Sequence, residues 1–123
     1  MPVIDATEGT VFETHGSCFR SYVSPSRGSN QLCAWRLDVP ADLEGVAHRP
    51  NRDEILLVLD GEMRITLDGV RAKLRQGDVA LVPANSELRV DGGPRGASAW
   101  VTTTPGLEAV TSDGSRITPP WAQ

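Results

Sequence analysis

Residues 48–83 read HRPNRDEILLVLDGEMRITLDGVRAKLRQGDVALVP, and the pattern of this segment predicts the fold class. Short apolar runs alternate in it with Asp-Gly and Gly-Asp pairs, which can take the backbone conformations of tight turns. Turns at 60–61 and 68–69 would join the first three runs into two hairpins. Pro83 would end the last run, because proline cannot donate a hydrogen bond to a sheet. The predicted strands span 54–59, 62–67, 70–74 and 79–82.

The flanking sequence continues the same alternation. Cys33, Trp35, Leu37 and Val39 alternate with less apolar neighbours, which predicts a strand at 31–39 with one face in the core. No segment shows a sustained helical period. Further strands are predicted at 88–90 and 98–104, with a flexible loop at 91–96 between them and an edge strand within 11–23.

These patterns predict an all-β fold, a single antiparallel β-barrel of the jelly-roll type, also called a double-stranded β-helix. A length of 123 residues fits one domain with one core. We expect the barrel core at about 31–104, an N-terminal edge segment at 1–30 and a C-terminal tail at 105–123.

Composition excludes several classes of partner and location. The net charge is −4 and the basic residues are scattered, so nucleic acid is not an expected partner. No apolar run approaches the ~18 residues that a membrane helix needs. The first residues are acidic where a secretory signal would be basic and then apolar, so we expect a soluble, cytoplasmic protein. Cys18 and Cys33 lack CxxC spacing and are expected to be thiols.

The decisive stretch also carries two spaced motifs. His48, Glu54 and Gly61 fit G-x5-H-x-H-x3-E-x6-G, and Gly77 and Pro83 fit G-x5-P-x-G-x2-H. In both respects the segment resembles the cupin superfamily. The resemblance implies a small antiparallel barrel that holds a metal ion or an organic ligand in its mouth. The sequence departs from the two motifs at Asp42, Pro50, Asn85 and Leu88.

The resemblance implies a metal bound by three imidazoles and one carboxylate, but Pro50 and Leu88 stand at two of these positions. We therefore expect no metal cofactor. The alternative is an atypical, dioxygenase-like enzyme in which His48 and Glu54 hold Zn²⁺, Fe²⁺ or Mn²⁺ with a substitute ligand. The substitute ligands to consider are His15, Cys18 and Cys33.

Without a metal, His48 and Glu54 are the candidate catalytic residues. If both point inward they could form an acid/base pair in which Glu54 raises the pKa of His48. The alternative is a structural pair that stays hydrogen-bonded because burying either group alone is unfavourable.

Trp121, in the tail, would cover a sheet edge or pack on a partner subunit.

Four further residues are candidates for ligand binding. Trp35 and Trp100 could form a flat apolar wall in the barrel, although simple core packing would explain both. Cys33 and Leu88 would complete that wall. Together these residues predict a small organic molecule as the partner.

We interpret the chain as a small-molecule-binding protein that works without metal. It could be a cofactor-free isomerase, cyclase or dehydratase acting on a small carbonyl compound. Alternatives are the metal-dependent enzyme and a non-catalytic dimeric binding protein. The apolar strand at 55–59 offers a surface for a homodimer, which is compatible with all three.

Overall fold

The computed structural model describes residues 2–123 as a curled antiparallel β-sheet with three short 3₁₀ helices, which confirms the predicted all-β jelly-roll class. The strands are β1 (Thr10–Thr14), β2 (Ser17–Val23), β3 (Cys33–Val39), β4 (His48–Pro50), β5 (Glu54–Leu67), β6 (Val70–Arg75), β7 (Val79–Val82), β8 (Leu88–Thr103), β9 (Ala109–Thr111) and β10 (Arg116–Ile117). The 3₁₀ helices span Ala6–Glu8, Pro25–Arg27 and Pro120–Ala122. Within residues 2–123, no helix has the length and apolar character needed to span a membrane.

Strand β8 is the organising element of the sheet. It pairs with β3 on one side and with β5 on the other, and every pairing is antiparallel. The path then continues from β3 to β2 and β1, while β4 links β8 to β9 and β10. Strand β5 also pairs with β6 and β7. The register between β5 and β8 shifts at two places, as at bulges, which bend a strand, and the sheet encloses one core.

The predicted hairpin turn at 60–61 is wrong. Residues 54–59 and 62–67 form one 14-residue strand, β5, and Asp60-Gly61 is a bulge where its register with β8 shifts. Gly61 has φ +76°, and a side chain there would collide with the Gly96 carbonyl oxygen. A bulge needs the same left-handed residue as a turn, so the Asp-Gly pair alone does not distinguish them.

The predicted loop at 91–96 is also wrong. Strand β8 runs through it for 16 residues, and Gly92 and Gly93 within it are buried. At Gly92 a side chain would strike the Pro40 carbonyl oxygen. Glycine here allows a second backbone segment to approach the strand closely. From sequence alone, such glycines cannot be distinguished from those of a flexible loop.

Other local predictions are confirmed. β7 spans Val79–Val82 as expected, and β6 begins at the predicted Val70. Asp68 and Gly69 have φ +48° and +82° and join β5 to β6 in a two-residue turn. The N-terminal segment forms a full hairpin, β1–β2, where only an edge strand was predicted.

The core lies between the inward faces of these strands. It is built mainly from aliphatic side chains of β3, β5 and β8 together with two tryptophans, Trp35 and Trp121. Trp121 is 7% exposed, and its ring stacks on Phe19 at a centroid distance of 3.8 Å. The C-terminal segment is therefore part of the core of this chain, and the predicted role of Trp121 in covering a sheet edge or a partner is wrong.

Candidate functional site

A cavity of about 120 Å³ lies inside the barrel, with most of its wall apolar. Its titratable groups are His15, His48 and Glu54. Strands β4 and β5 contribute His48 and Glu54, whereas His15 comes from the turn between β1 and β2. The apolar wall includes Phe19, Trp35, Leu56, Leu88, Leu107 and Trp121.

The four positions that the cupin resemblance assigns to metal ligands all line this cavity: His48, Pro50, Glu54 and Leu88. His48 and Leu88 lie directly opposite each other in the pairing of β4 with β8. Pro50 offers no lone pair from its ring, and the side chain of Leu88 is apolar. Residues 2–123 contain no group of three His, Cys, Asp or Glu side chains able to hold a metal ion. The residues present therefore do not fit the metal that the family motif implies.

Two of the departures from the motifs preserve the backbone of the family. Asp42 and Asn85 stand where the motifs have glycine, and their φ angles are +58° and +68°. Aspartate and asparagine are the non-glycine residues that take this left-handed conformation most readily. The motif turns are thus retained while two ligand side chains are replaced.

Glu54 is the most perturbed titratable group in the cavity. The residue is 5% exposed, and among residues 2–123 no hydrogen bond or neighbouring charge contributes to the shift in its pKa. Burial alone raises the pKa of Glu54 from 4.5 to about 7. At neutral pH this carboxyl is thus divided between its neutral and ionised forms, so it can donate or accept a proton.

His48 is fixed by the backbone. Its Nδ1 lies 2.9 Å from the Val46 carbonyl oxygen, which can only accept, so Nδ1 carries the proton. Burial lowers the pKa of His48, opposed by this hydrogen bond and reinforced by the nearby His15. His48 is therefore neutral at pH 7, and Nε2 retains the lone pair of the ring.

The expected direct pairing of these two residues is wrong. His48 and Glu54 share the cavity, but no hydrogen bond or ion pair joins them in the described chain. The pKa of His48 is lowered, not raised as the pairing would require. Each group is instead available separately to a molecule in the cavity.

The ligand-binding candidates divide into two groups. Trp35 and Leu88 line the cavity, whereas Trp100 and Cys33 do not. Trp100 lies opposite Arg36 in the β3–β8 pairing and its ring lies 5.8 Å from that of Tyr22, on the outer face of the sheet. An apolar residue in the middle of a strand can point into the core or to the outer face of the sheet. For Trp100, the register between β3 and β8 determines which face it takes.

The thiols are not part of the cavity. Cys33 points into the core as the alternation predicts, but its Sγ donates to the Ala122 carbonyl oxygen at 3.4 Å. Burial raises the pKa of Cys33, which disfavours the thiolate that a metal needs. Cys18 lies outside the cavity wall. Of the proposed substitute ligands, only His15 lies at the cavity.

Sequence reasoning missed the C-terminal part of the wall. Leu107, Ala109 and Trp121 all line the cavity, although 105–123 was expected to be a tail outside the barrel core. Phe19 was assigned only to a possible edge strand, and it also lines the cavity. The one available signal was Trp121 itself. A large apolar side chain beside two prolines indicates that the segment packs against the protein, but it does not indicate which surface the side chain contacts.

Comparison with known proteins gives a family for this fold and site. Residues 35–92 match the family model described as the cupin domain. The chain therefore carries a cupin domain. An RmlC-like cupin from Shewanella frigidimarina has a TM-score of 0.70 at 22% identity, over 83% of this chain and 88% of that one.

Two other solved cupin-fold structures are similar. The polyketide cyclase RemF from Streptomyces resistomycificus has a TM-score of 0.74 at 16% identity, over 87% of this chain and 83% of that one. An oxalate decarboxylase from Bacillus subtilis has a TM-score of 0.73 at 16% identity, with 81% of this chain and 28% of that chain covered. These likenesses establish the fold.

A curated protein is also similar in sequence. An endoribonuclease YbeY from Myxococcus xanthus is 36% identical over 53 residues. The match covers 43% of this chain but only 18% of that protein. The matched segment is less than half of this chain and less than a fifth of that relative.

Proposed function

We propose that this cupin-domain protein binds a small, mainly apolar organic molecule in its cavity and exchanges protons with it through Glu54 and His48, without a metal ion. The reaction class is isomerisation, cyclisation or dehydration of a small carbonyl compound. The single observation that carries the proposal is a buried carboxyl with a pKa of about 7 in an apolar cavity. General acids and bases work best when their pKa lies near the operating pH.

The two groups are suited to opposite halves of such a reaction. The neutral imidazole of His48 can take a proton from carbon at Nε2, while the protonated carboxyl of Glu54 gives its proton to the carbonyl oxygen. An enol, an imidazolium and a carboxylate result. The imidazolium of His48 then gives its proton to a different carbon of the enol, and the enol O–H returns its proton to the carboxylate of Glu54. These two transfers complete an isomerisation and restore both residues.

The donor set supports metal independence. A cupin metal site converges four ligands on one ion, and here Pro50 and Leu88 replace two of them. His48 and Glu54 remain, and His15 also lines the cavity, but the described residues contain no group of three side chains able to hold a metal ion. A metal held by one imidazole and one carboxylate would have to complete its coordination with water, and such a site binds Zn²⁺ or Fe²⁺ weakly. The same fold hosts a polyketide cyclase in RemF, so a cyclase is compatible with this barrel.

Cavity size limits the ligand. A dry engineered cavity of about 150 Å³ accepts benzene. The volume of about 120 Å³ is comparable, so it suits a ligand of roughly one small ring. This size favours small ketones and aldehydes over extended substrates.

The test is a thermal-shift and NMR screen of small ring compounds against the wild type, Glu54→Gln and His48→Gln. We expect carbonyl compounds to stabilise the wild type and each variant to bind them at least several-fold more weakly. Glu44→Gln is the matched control, because Glu44 is highly exposed and outside the cavity. Equal binding by all four proteins would contradict the proposal. A large stabilisation of the wild type by Zn²⁺, Fe²⁺ or Mn²⁺ would favour the metal-dependent alternative.

A separate observation supports a homodimer. Val79 and Leu81 of β7 are 60% and 62% exposed, and they pair with Leu57 and Ile55 of β5 in an aliphatic strip. We propose that a second copy of the chain covers this strip. Each copy carries a net charge of −4, so an uncharged surface is where two copies repel least. A symmetric pairing would bury the same strip on both copies.

Light scattering tests the dimer. We expect the wild type to have twice the 13.2 kDa mass of the chain, and Leu81→Glu to be monomeric. Val70→Glu is the control, because Val70 is 71% exposed but lies on β6. A wild type that is monomeric at micromolar concentrations would contradict the dimer and leave the cavity proposal unaffected.

A further inference from the structure

The mouth of the cavity is located by the exposure of its lining. Of the residues that line the cavity, His15 and Val46 are exposed, and the others are half-buried or buried. The two sides of this opening lie close together, since a Cβ added at Gly16 would be 2.9 Å from Cδ1 of Leu43. His15 also lines a larger, open cleft on the outside of the barrel. The mouth therefore lies between the β1–β2 turn and the loop that precedes β4.

The backbone holds His15 in a tight turn. His15 and Gly16 have φ +52° and +81°, and they join Thr14 to Ser17, the last pair of the β1–β2 hairpin. Positive φ at both central residues is typical of a type I′ turn, in which Asn-Gly and Gly-Gly are common pairs. Glycine would take this conformation without steric cost, so the turn itself does not require an imidazole.

A second two-residue turn shows what a side chain at this position can do. Asp68 and Gly69 have φ +48° and +82°, nearly the same as His15 and Gly16. The Asp68 carboxylate accepts a hydrogen bond of 2.8 Å from the Glu87 backbone N–H, so this side chain has a structural role. His15 occupies the equivalent position in its own turn, but its side chain borders the cavity. The imidazole is therefore explained by the cavity and not by the turn.

Three titratable side chains line the cavity at increasing depth. His15 is exposed, His48 is half-buried and Glu54 is 5% exposed. His15 lies near enough to His48 to lower its pKa. A ring whose carbonyl oxygen meets Glu54 at the buried end directs its opposite side to the mouth. There His15 offers a polar group and Val46 an apolar one.

We infer that His15 determines specificity by hydrogen-bonding a hydroxyl group on the outward side of the ligand, which is then a ring ketone with a hydroxyl opposite its carbonyl. The inference rests on the proposed function, since it names the ligand class of the same cavity. A neutral imidazole has one donor and one acceptor nitrogen, and a hydroxyl group also both donates and accepts. The outer cleft beyond the mouth favours no ionic substituent, because its lining carries both signs of charge, with Glu13, Asp60, Arg75 and Arg95.

The experiment compares the binding of 4-hydroxycyclohexanone and 4-methylcyclohexanone. Their substituents are nearly equal in size, but only the hydroxyl can form a hydrogen bond. The dissociation constants of both compounds are measured for the wild type and His15→Gly. We expect His15→Gly to weaken binding of the hydroxy compound by about three- to tenfold relative to the methyl compound, the effect of one hydrogen bond. The ratio cancels any change in the turn or the mouth that affects both compounds alike.

Asp68→Gly is the matched control. It makes the same kind of change in the equivalent turn, and Asp68 does not line the cavity. We expect this variant to leave the ratio of the two dissociation constants at its wild-type value.

A second measurement uses the wild type alone. The chain has two histidines, so the ring ¹⁵N signals of His15 are assigned by substituting either His15 or His48. We expect the hydroxy compound to shift the His15 ring signals clearly more than the methyl compound does. This readout remains available if His15→Gly does not fold, because His48→Gln then provides the assignment.

The other outcomes overturn the assignment of His15. If His15→Gly weakens both compounds equally, or neither, His15 at most shapes the mouth, and the proposed function stands. The same conclusion follows if the His15 signals respond to both compounds alike, or if the wild type binds other ring ketones but not the hydroxy compound. If no carbonyl compound in the screen binds the wild type, both proposals fail.

Discussion

Two walls of the same cavity come from parts of the chain with very different sequence signals. One wall is built by the motif segment, with His48, Glu54 and Leu88. The other includes the C-terminal segment, with Leu107 and Trp121. The motif wall holds both groups proposed for proton transfer, whereas the tail wall is mainly apolar, with Thr111 among its residues. The reactive groups of the cavity are thus specified by local motif spacing, whereas its enclosure depends on contacts across the whole chain.

The largest expected effect concerns the tail wall. Trp121→Ala should lower the free energy of unfolding by about 3–5 kcal/mol, because it removes a buried indole stacked on Phe19 and leaves a void. Urea denaturation would measure the change. Trp100→Ala is the matched control on the outer face and should cost clearly less, since that ring is only half-buried. Equal losses would show that the tail does not close the cavity.

The next effect concerns Glu54 and pH. Its folded pKa of about 7 lies above the ordinary 4.5, so the folded state binds more protons between these values. The resulting contribution of Glu54 to the free energy of unfolding, about 3 kcal/mol, is fully present below pH 4.5 and is lost as pH rises through 7. Glu54→Gln should lack this loss, so the variant should gain stability relative to the wild type from pH 4.5 to 8.

His48 must be separated from this effect. Its pKa is lowered in the folded state, so its contribution has the opposite sign and stability increases as pH rises through 6.5. Both proteins contain His48, and the difference between them therefore isolates Glu54. Urea titrations at pH 4.5, 6 and 8 provide the measurement. A constant difference across these pH values would contradict the raised pKa of Glu54.

A third effect would sharpen the contrast between this cavity and a cupin metal site. Restoring the missing imidazoles with Pro50→His and Leu88→His should create a four-ligand set with His48 and Glu54. At a Zn²⁺ concentration of 100 times the dissociation constant, the double variant should gain about 2.7 kcal/mol. The wild type should gain little. The proposal of metal independence is wrong if the wild type responds as strongly.

The smallest effect concerns the motif turns. Asn85 has φ +68° where the family motif has glycine. Asn85→Ala should cost about 1 kcal/mol, because alanine is strained in the left-handed region, whereas Asn85→Gly should restore most of the loss. Thermal unfolding of the three proteins would measure both changes. Similar losses in both variants would mean that the backbone conformation is not the cause.

Local sequence features predicted the short strands and the fold class well. Strand β7 and the turn at 68–69 depend on neighbouring residues only, and both lie where expected. Asp60-Gly61 was misread because a bulge and a turn use the same residues. The run at 91–96 was misread because its glycines serve close packing against Pro40.

The candidate site was only partly predictable for the same physical reason. His48 and Glu54 follow from motif spacing, and Trp35 follows from strand alternation. The outward direction of Trp100 depends on its register opposite Arg36, which no local pattern contains. The position of Trp121 depends on contacts with Phe19 and Ser21, about a hundred residues away along the chain.

A titration of the Glu54 side-chain carboxyl by ¹³C NMR, with Glu54→Gln used to assign the signal, measures the property on which the proposed function depends. We expect a midpoint near pH 7 that does not move when Zn²⁺ is added. A midpoint near 4.5, or one that falls on adding Zn²⁺, would contradict it. The first result would show that the cavity does not desolvate the carboxyl, and the second that the site still binds metal.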